Sequence, residues 1–533
     1  MLHLKTKQRH SSAFNRWIFY RNYTLTKSQL FIYKTVSSYT SKTKLRMNRL
    51  SLSKIKYSKI LLLILPICYL LLPNNNQTLD SWTYAYNVKF GEELFNAHHL
   101  LYNWFMYYLK LITKLYNINT MKFMQFINGV FSISSLLFLY LILLKIHNNK
   151  SKSITWTILV GCTFALLRYG TENETYILPI FFSIVASYFL ILFFKRNSNF
   201  RLLIISGLFA SISCLLHQVH FFWWLAILLG LFFFSAEKRI KRTTYFVLPA
   251  LIVPITYIIV LCFCLEKELS INNILSFIFE YYYSENAETK FGSINFIMTP
   301  ISFVRTFFQL HGNIITFVLA KPIISAFSIA LSVYCFIKFL FPLKHLFNLN
   351  YDNIFINIHF LAFLLQFTFA FYSHGNAEFM VMLPFLMCIC LSYWTSINNN
   401  KVLYLGLTML TWNISFAILP NHFYNFQNNQ ELIKIIRMNP DKKFILEERN
   451  KIFAQYKYIY GEDISKRIFF KNEIILENQT GIFYTDILSK IIPFSRASIV
   501  LKNNNDFNFS LVREVEKIDC FYGSYSVDKI NVK

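Results

Sequence analysis

Long apolar runs separated by short polar segments dominate the chain between residues 57 and 420. A helix needs about 17–25 predominantly apolar residues to cross a bilayer. The pattern predicts eleven membrane-spanning helices, at 57–73, 121–146, 154–170, 175–195, 200–217, 219–236, 244–265, 314–341, 354–372, 378–396 and 402–420. The segment 293–310 is ambiguous and could lie at the membrane interface. The stretch 100–116 is aromatic and amphipathic, which is typical of a helix lying along the membrane surface.

The pattern changes after residue 420. Residues 421–533 contain 17 basic and 14 acidic residues, and a polar segment near 421–429 reads as a linker. Short runs of alternating character predict strands separated by helical or turn segments, at 443–448, 467–470, 481–486 and 497–501. About 110 residues suffice for one small domain. The tail is therefore expected to form a small α/β domain.

Composition supports a membrane protein. Of 533 residues, 55% are apolar, 19% are aromatic and only 15% are charged, whereas soluble chains average about 25% charged residues. So much apolar surface also excludes intrinsic disorder. The net charge of +26 does not indicate a nucleic-acid binder, because the basic residues form no aromatic-interleaved patch on a folded domain.

The charge distribution predicts orientation. Residues 1–59 contain fourteen Lys and Arg and no acid, so the positive-inside rule places this end in the cytoplasm. The segment 1–56 is a basic N-terminal region, or else Met47 is the true start. Counting spans through the transmembrane domain at 57–420 then places the loop 74–120 and the tail 421–533 outside. We expect an all-α polytopic protein of the cytoplasmic (inner) membrane with an extracytoplasmic α/β domain.

Ionisable residues cluster in the predicted external loops. Such groups near membrane depth are costly and usually functional. They are Asp80, Lys89, His98 and His99 in the first loop, Arg168, Glu172 and Glu174 in the second, His217 and His220 in the third, and His374 and Glu378 in the last of these. Each also has a structural interpretation: Asp80 could cap a helix, Glu378 could complement a helix dipole, and the others could solvate loops or line the interface.

The arrangement resembles the GT-C superfamily of polytopic glycosyltransferases, which includes protein O-mannosyltransferase-like and aminoarabinose-transferase-like enzymes. The likeness is carried by a cytoplasmic N-terminus, Asp80 shortly after the first span, the amphipathic stretch 90–116, about eleven spans and a soluble C-terminal domain. The motifs ELFNAHHLLYN (93–103) and GNAEFMVMLPFL (375–386) are similar to those of bacterial membrane proteins of this kind. Many members have paired acids in the first loop, whereas here Asp80 precedes Ser81.

The resemblance implies transfer of a sugar from a polyprenyl-phosphate-linked donor to a glycan, lipid or protein acceptor on the external face. Asp80 would be the base that takes the acceptor proton. The leaving phosphate would be stabilised by Arg168, Lys89, His98 and His99. Other predicted substrate contacts are aromatic residues that could stack on sugars, namely Trp82, Tyr84 and Tyr102. Acceptor hydroxyls or a divalent metal ion could bind to three acids, Glu172, Glu174 and Glu378. The remaining predicted contacts are His217, His220 and His374.

Two other classes stay open. A transporter would predict internal repeats and spans broken in matching positions, and no repeat is visible in the sequence. A polysaccharide polymerase or ligase shares the external acceptor chemistry and many spans. Such an enzyme would use arginines in large external loops, and the candidates here are Arg168 and Arg305.

Overall fold

The computed structural model describes residues 61–533 apart from 116, 196–198, 236, 281–290, 311–312, 342–351, 478 and 490–508. All described residues belong to one compact unit, Ile60–Lys533. The predicted basic segment at 1–56, the alternative start at Met47 and the predicted strand at 497–501 lie outside the described residues.

Helices make up most of the described chain. Those up to residue 423 are α1 (Leu61–Leu71), α2 (Leu79–Phe90), α3 (Tyr102–Ile112), α4 (Thr120–His147), α5 (Lys150–Gly161), α6 (Phe164–Thr171), α7 (Ile177–Lys195), α8 (Phe200–Leu216), α9 (Phe221–Phe233), α10 (Arg239–Cys264), α11 (Ile271–Ile278), α12 (Ser293–Phe307), α13 (Asn313–Ala320), α14 (Pro322–Leu340), α15 (Ile354–Tyr372), α16 (Leu383–Trp394) and α17 (Asn399–Phe423). Short 3-10 helices occur at Ala97–His99, Gln218–His220 and Ala377–Met380.

The chain is a multi-pass membrane protein. Within the described residues, seven helices are long and apolar enough to cross a membrane: α4, α7, α10, α14, α15, Ala377–Trp394 and α17. Three shorter apolar helices, Leu61–Leu71, Phe200–Leu216 and Gln218–Phe233, accompany them. The predicted polytopic fold is confirmed, while the count of eleven spans stays a prediction.

The span predicted at 154–170 is wrong as a single helix, because α5 ends at Gly161 and α6 begins at Phe164. Thr163 adopts an extended conformation, with φ −68° and ψ 147°, and its hydroxyl donates to the carbonyl of Val160 at 2.7 Å. Such local side-chain bonds compete with helical ones. Asn413 of α17 stabilises the break by donating its side-chain amide to the carbonyl of Cys162 at 2.9 Å.

The C-terminal part forms a five-stranded mixed sheet with helices. The strands are β1 (Phe444–Ile445), β2 (Ile468–Phe469), β3 (Gly481–Thr485), β4 (Phe509–Cys520) and β5 (Gly523–Val532), and the helices are α18 (Asn429–Met438), α19 (Arg449–Tyr460) and α20 (Lys471–Leu476). The strand order is β2-β1-β3-β5-β4. Strand β1 pairs in parallel with β2 and β3, and β5 pairs antiparallel with β3 and β4.

The predicted strands at 443–448, 467–470 and 481–486 correspond to β1, β2 and β3. The hairpin of β4 and β5 is absent from the prediction, because β4 is an edge strand whose residues 511–517 are all exposed and therefore lack an alternating apolar pattern.

The predicted linker at 421–429 is held firmly against the loop that follows α1. The side-chain amide of Asn76 donates to the carbonyls of Asn421 and Tyr424, at 3.0 and 2.7 Å. The Oδ1 atom of Asn76 accepts from the backbone N–H of Phe426 at 2.9 Å. These bonds join the C-terminal domain to the start of the segment that carries Asp80.

Candidate active site

Helix α2 positions Asp80 in its first turn. The N-cap is Thr78, whose hydroxyl accepts from the backbone N–H of Ser81 at 3.0 Å, so the capping role considered for Asp80 belongs to Thr78. A carboxylate in the first turn is favoured by the helix dipole. Asp80 remains open to solvent yet is recessed among protein groups. This desolvation raises the pKa of its carboxyl, and the negative charge of Glu378 raises it further.

A buried ion pair lies at the end of α6. The Nε atom of Arg168 is 3.0 Å from Glu172 Oε2 and 3.2 Å from Oε1, and the two side chains are 20% and 6% exposed. The side-chain amide of Asn74 donates to Glu172 Oε1 at 2.8 Å. Two chain segments therefore meet at Glu172, because α6 supplies the arginine and the loop after α1 supplies the amide.

Glu174 lies two residues further along the same loop. Its Oε1 accepts from the hydroxyls of Thr78 at 2.6 Å and Ser81 at 3.3 Å, which ties it to the beginning of α2. Glu174 is only 4% exposed. Burial first, and then the charges of Glu378 and Glu172, raise its pKa well above the usual range. Glu174 therefore retains its proton at higher pH than an ordinary carboxyl does.

Glu378 arrives from the segment between α15 and α16. Its Oε2 accepts a hydrogen bond from the hydroxyl of Tyr176 at 2.8 Å. Tyr176 lies in the same loop as Glu174. The side chain of Asn376 accepts from the backbone N–H of Glu378 at 2.9 Å and fixes the 3-10 turn. The negative charge of Glu378 raises the pKa of Asp80, and the charges of the other three acids raise the pKa of Glu174. We therefore call these four residues the acid cluster: Asp80, Glu172, Glu174 and Glu378.

Three of the predicted histidines form a row that reaches the acid cluster. The ring of His98 lies 4.2 Å from that of His99 and 5.9 Å from that of His217, and His217 lies 5.1 Å from Tyr176. Burial lowers the pKa of His98 to about 4 and that of His99 well below its usual value. Both are therefore neutral at pH 7. A neutral imidazole can stabilise a leaving phosphate as a hydrogen-bond donor but not as a cation, so the contact of His98 and His99 with the phosphate stays a prediction in that form.

The other two histidines occupy different positions. His220 is 1% exposed, and its Nδ1 lies 2.8 Å from the hydroxyl of Ser183 within the helix bundle. His374 lies in the turn after α15 with φ +52°, two residues before the turn that carries Glu378. His220 thus has a structural partner on α7, which agrees with its structural interpretation.

The predicted sugar-stacking residues separate into two groups. Trp82 lines the cavity described next and lies 5.3 Å from the ring of Tyr458. Tyr102 has no exposed surface and cannot face a sugar. Its hydroxyl donates to the carbonyl of Glu174 at 3.1 Å, so Tyr102 supports the loop that carries Glu174. Tyr84 packs edge-on against His99 at 4.9 Å.

A polar cavity of about 310 Å³ lies beside the acid cluster, and we call it the first cavity. Arg168, Glu172 and Arg305 line it, together with Trp82 and Lys451. Most of the other polar lining residues carry amide side chains, namely Asn74, Asn75, Asn76, Gln77, Gln309, Asn421, Asn425, Gln427, Asn428, Asn429, Gln430 and Gln455. Arginines and amides are groups that bind phosphates and sugar hydroxyls by directed hydrogen bonds.

Arg305 is the cavity residue that the predicted site omitted. Its position in the ambiguous segment 293–310, now helix α12, concealed it. The feature of the sequence that could have identified it is a single arginine in an otherwise apolar run.

Lys89, by contrast, does not line the first cavity. Its ammonium donates to the carbonyl of Tyr458 at 2.7 Å and lines a separate cavity.

The described residues include no group of three His, Cys, Asp or Glu side chains positioned to hold a metal ion. The acid cluster is tied to hydroxyl, amide and arginine partners instead. The divalent ion suggested by the sequence stays a prediction.

No protein-family model matches the chain, and no curated protein matches it in sequence. Among solved structures, it is similar to the Archaeoglobus fulgidus oligosaccharyltransferase in the apo form, with 12% identity and a TM-score of 0.43, covering 78% of this chain and 64% of that one. The chain thus spans less than two thirds of that protein. It is also similar to the archaeal oligosaccharyltransferase AglB from Archaeoglobus fulgidus in complex with an inhibitory peptide and a dolichol-phosphate, with 10% identity, a TM-score of 0.42 and coverage of 81% and 69%.

A third similar structure is ArnT from Cupriavidus metallidurans bound to undecaprenyl phosphate, with 8% identity and a TM-score of 0.41, covering 89% of this chain and 97% of that one. At TM-scores below 0.5, the likeness concerns the course of the chain and assigns no role to any residue.

Proposed function

We propose that this chain is an integral membrane glycosyltransferase. It moves a sugar from a polyprenyl-phosphate-linked donor to an acceptor at the face of the membrane that carries the C-terminal domain. The observation that carries the proposal is the convergence of Asp80, Glu174 and Glu378, from three distant chain segments, beside a cavity lined by two arginines. The acids lie in loops and at helix ends rather than within spans, which favours this function over a transporter.

Asp80 acts as the general base. Proton abstraction from an acceptor hydroxyl is faster when the pKa of the base approaches the working pH. Desolvation and the charge of Glu378 both raise the pKa of Asp80, so its carboxylate is a stronger base than that of an aspartate surrounded only by water. The exposed surface of Asp80 leaves room for the acceptor. The new bond forms between the acceptor oxygen and the anomeric carbon, and the bond to the donor phosphate breaks.

The leaving phosphate is stabilised in the first cavity by Arg168 and Arg305. Charge-assisted hydrogen bonds from guanidinium groups to phosphate are among the strongest in proteins. The charge of Arg168 is shared with Glu172. Arg305 forms no salt bridge with another residue in the described part of the chain, although the charges of Glu172 and Glu378 act on it. Its guanidinium is therefore a second donor for the negative charge that develops on the phosphate. Trp82 lies at the same cavity and offers a face on which a sugar can stack.

The protein resides in the cytoplasmic membrane with its N-terminus inside and its C-terminal domain outside. The fourteen basic residues of the first 59 support this orientation. A topology reporter fused after residue 425 tests it, and a cytoplasmic signal from that fusion would overturn the placement of the site.

Replacing Asp80 tests the reaction. Asp80→Asn keeps the size of the side chain and removes the base, so transfer should fall by about 10²–10⁴-fold while the protein is still made and inserted. The measurement is loss of a surface glycan in cells, or of sugar transfer from polyprenyl-phosphate donors in membranes. Glu93→Gln is the matched control, since Glu93 is an exposed acid near the end of α2. Retained transfer in Asp80→Asn would contradict the proposal.

A further inference from the structure

A second cavity of about 520 Å³ lies between α2, α3, the beginning of α4 and the end of α19. Its lining includes two lysines, Lys89 from α2 and Lys110 from α3. Among the described residues that line it, none is an aspartate or a glutamate. This distinguishes the second cavity from the first, which has Glu172 and Glu448 in its wall.

Both lysines have only neutral partners. The ammonium of Lys89 donates to the backbone carbonyls of Tyr458 and Ile459, at 2.7 and 3.4 Å. The ammonium of Lys110 donates to the hydroxyl of Thr120 at 2.6 Å. Within the described part of the chain, neither lysine forms a salt bridge. Burial, and then the positive charge of Lys89, lower the pKa of Lys110, which indicates that the two ammonium groups lie near each other.

The beginning of α4 adds further positive potential. Asn119 and Thr120 line the cavity and are the N-cap and first residue of this 28-residue helix. The amino end of a helix carries a partial positive charge from its aligned peptide dipoles. The backbone N–H groups of Met121 and Lys122 at this end already donate to Tyr458 and Asn119, so the helix contributes through its dipole. Two ammonium groups and the positive end of one helix dipole line the same space, which favours an anion there.

The cavity lies where the chain enters the membrane. Helix α4 is a candidate membrane span that begins at Thr120. The neighbouring helix α3 buries Tyr102 and Met106 on one face and exposes Trp104, Tyr108 and Ile112 on the other. Exposed aromatic and aliphatic side chains on an amphipathic helix are typical of contact with the membrane interface. An anion entering this cavity can therefore remain attached to a lipid.

We propose that the second cavity binds the phosphate headgroup of an anionic phospholipid, with Lys89, Lys110 and the amino end of α4 as the recognition elements. The site is distinct from that of the sugar donor. Lys89 is nine residues beyond Asp80 on α2, about 13 Å along the helix axis, and lines a cavity that the two arginines do not share. The bound lipid would fix α3 and the end of α19 against the membrane surface.

Binding of soluble short-chain lipids to the purified full-length chain tests the proposal. The chain is placed in phosphatidylcholine nanodiscs and titrated with dihexanoyl phosphatidylglycerol, dihexanoyl phosphatidylcholine or inorganic phosphate, and bound ligand is measured by native mass spectrometry. Phosphatidylglycerol should bind more tightly than the other two. Lys110→Gln should weaken its binding about fivefold, and Lys89→Gln combined with Lys110→Gln on the order of twentyfold, given the usual contribution of each lysine near an anionic headgroup.

Lys122→Gln is the matched control, because Lys122 is an exposed lysine on α4 that does not line the cavity. This variant should bind phosphatidylglycerol as tightly as the native chain does. Lys110→Gln also serves as the variant that preserves the contact of Lys89 with α19. Equal binding of phosphatidylglycerol and phosphatidylcholine would overturn the proposal, as would unchanged binding in the double variant. Inorganic phosphate binding as tightly as phosphatidylglycerol would overturn the assignment to a lipid.

Discussion

The two cavities differ in the kind of charge that lines them. The first combines two arginines with a wall of amide side chains and lies beside four carboxyl groups, whereas the second has two lysines and no acid. Arginine binds phosphate through several directed hydrogen bonds, while lysine acts as a compact point charge. A reaction needs both a base and fixed donors, and only the first cavity has them. The second has what is needed to hold an anion without reacting with it.

The difference continues in how the charged groups are held. In the first cavity, Arg168 and Glu172 are paired and largely buried, so their positions are fixed by each other. In the second, Lys89 and Lys110 reach neutral oxygens and keep their full charge for a ligand. Variants that remove one charge at a time should therefore have different consequences in the two places.

The largest effect is expected from Arg168→Gln. The substitution leaves Glu172 as a buried carboxylate without its countercharge, which typically costs about 3 kcal/mol, and it should also reduce transfer. The free energy of unfolding is measured in detergent by thermal and chemical denaturation. Lys434→Gln is the control, since it removes a surface ion pair with Glu431 and should leave the melting temperature unchanged. Equal melting temperatures for Arg168→Gln and the native chain would contradict the buried pair.

Arg305→Gln separates binding in the first cavity from binding in the second. Because Arg305 forms no salt bridge among the described residues, its loss leaves no bonded carboxylate unpaired, and the fold should keep its stability. Affinity for a polyprenyl phosphate should fall about tenfold, as expected when one charge-assisted bond to phosphate is lost. Phosphatidylglycerol binding should not change. Lys110→Gln should weaken phosphatidylglycerol binding and leave the affinity for polyprenyl phosphate unchanged. If either variant weakened the binding of both ligands, the cavities would not be independent.

Tyr102→Phe should have a smaller effect. It removes the hydrogen bond to the carbonyl of Glu174 and keeps the buried ring, so the expected cost is about 1 kcal/mol of unfolding free energy. Transfer should fall a few-fold through displacement of the Glu174 loop. The test compares kcat and KM for both chains. Loss of activity as great as in Asp80→Asn would mean that Tyr102 touches the substrate.

Glu174→Gln should change the pH dependence of stability rather than transfer at one fixed pH. The pKa of Glu174 is raised in the folded chain, so between about pH 4.3, the usual glutamate value, and this raised value the folded state holds a proton that the unfolded state has released. Stability therefore falls as the pH rises through this window, by up to about 1.4 kcal/mol per pH unit.

Glutamine should remove this slope, which melting curves between pH 5 and pH 8 would detect. Glu93→Gln, at an exposed position, should keep the native slope. An unchanged slope in Glu174→Gln would show that Glu174 does not carry the buried proton.

The sequence predicts much of this architecture because burial in a membrane demands long apolar helices, which are visible residue by residue. It also names all four members of the acid cluster, since acids are rare in the membrane part and stand out at helix ends. Glu174 and Glu378 are examples, although their proximity depends on contacts between residues about 200 positions apart.

Other features depend on tertiary packing and are invisible in the pattern. Tyr102 looks like a surface aromatic on an amphipathic helix but is completely buried. The sequence leaves open whether His98 and His99 are cations or neutral hydrogen-bond donors, and burial keeps them neutral. Lys89 and Arg305 are each single basic residues in the sequence, and only the folded chain shows which cavity each one lines.

The most direct test of the central claim measures sugar transfer by the purified chain in proteoliposomes as a function of pH. Polyprenyl-phosphate sugars serve as donors, and the native chain is compared with Asp80→Asn. Asp80 must be deprotonated to act as the base, so we expect the transfer rate of the native chain to rise with pH on the acidic side of the profile. The midpoint of this rise should lie above the usual aspartate pKa of 3.8, because the pKa of Asp80 is raised. Asp80→Asn should show no such limb and about 10²–10⁴-fold less transfer, with an unchanged melting temperature. Transfer by Asp80→Asn within a few-fold of the native rate would contradict the assignment of Asp80 as the base.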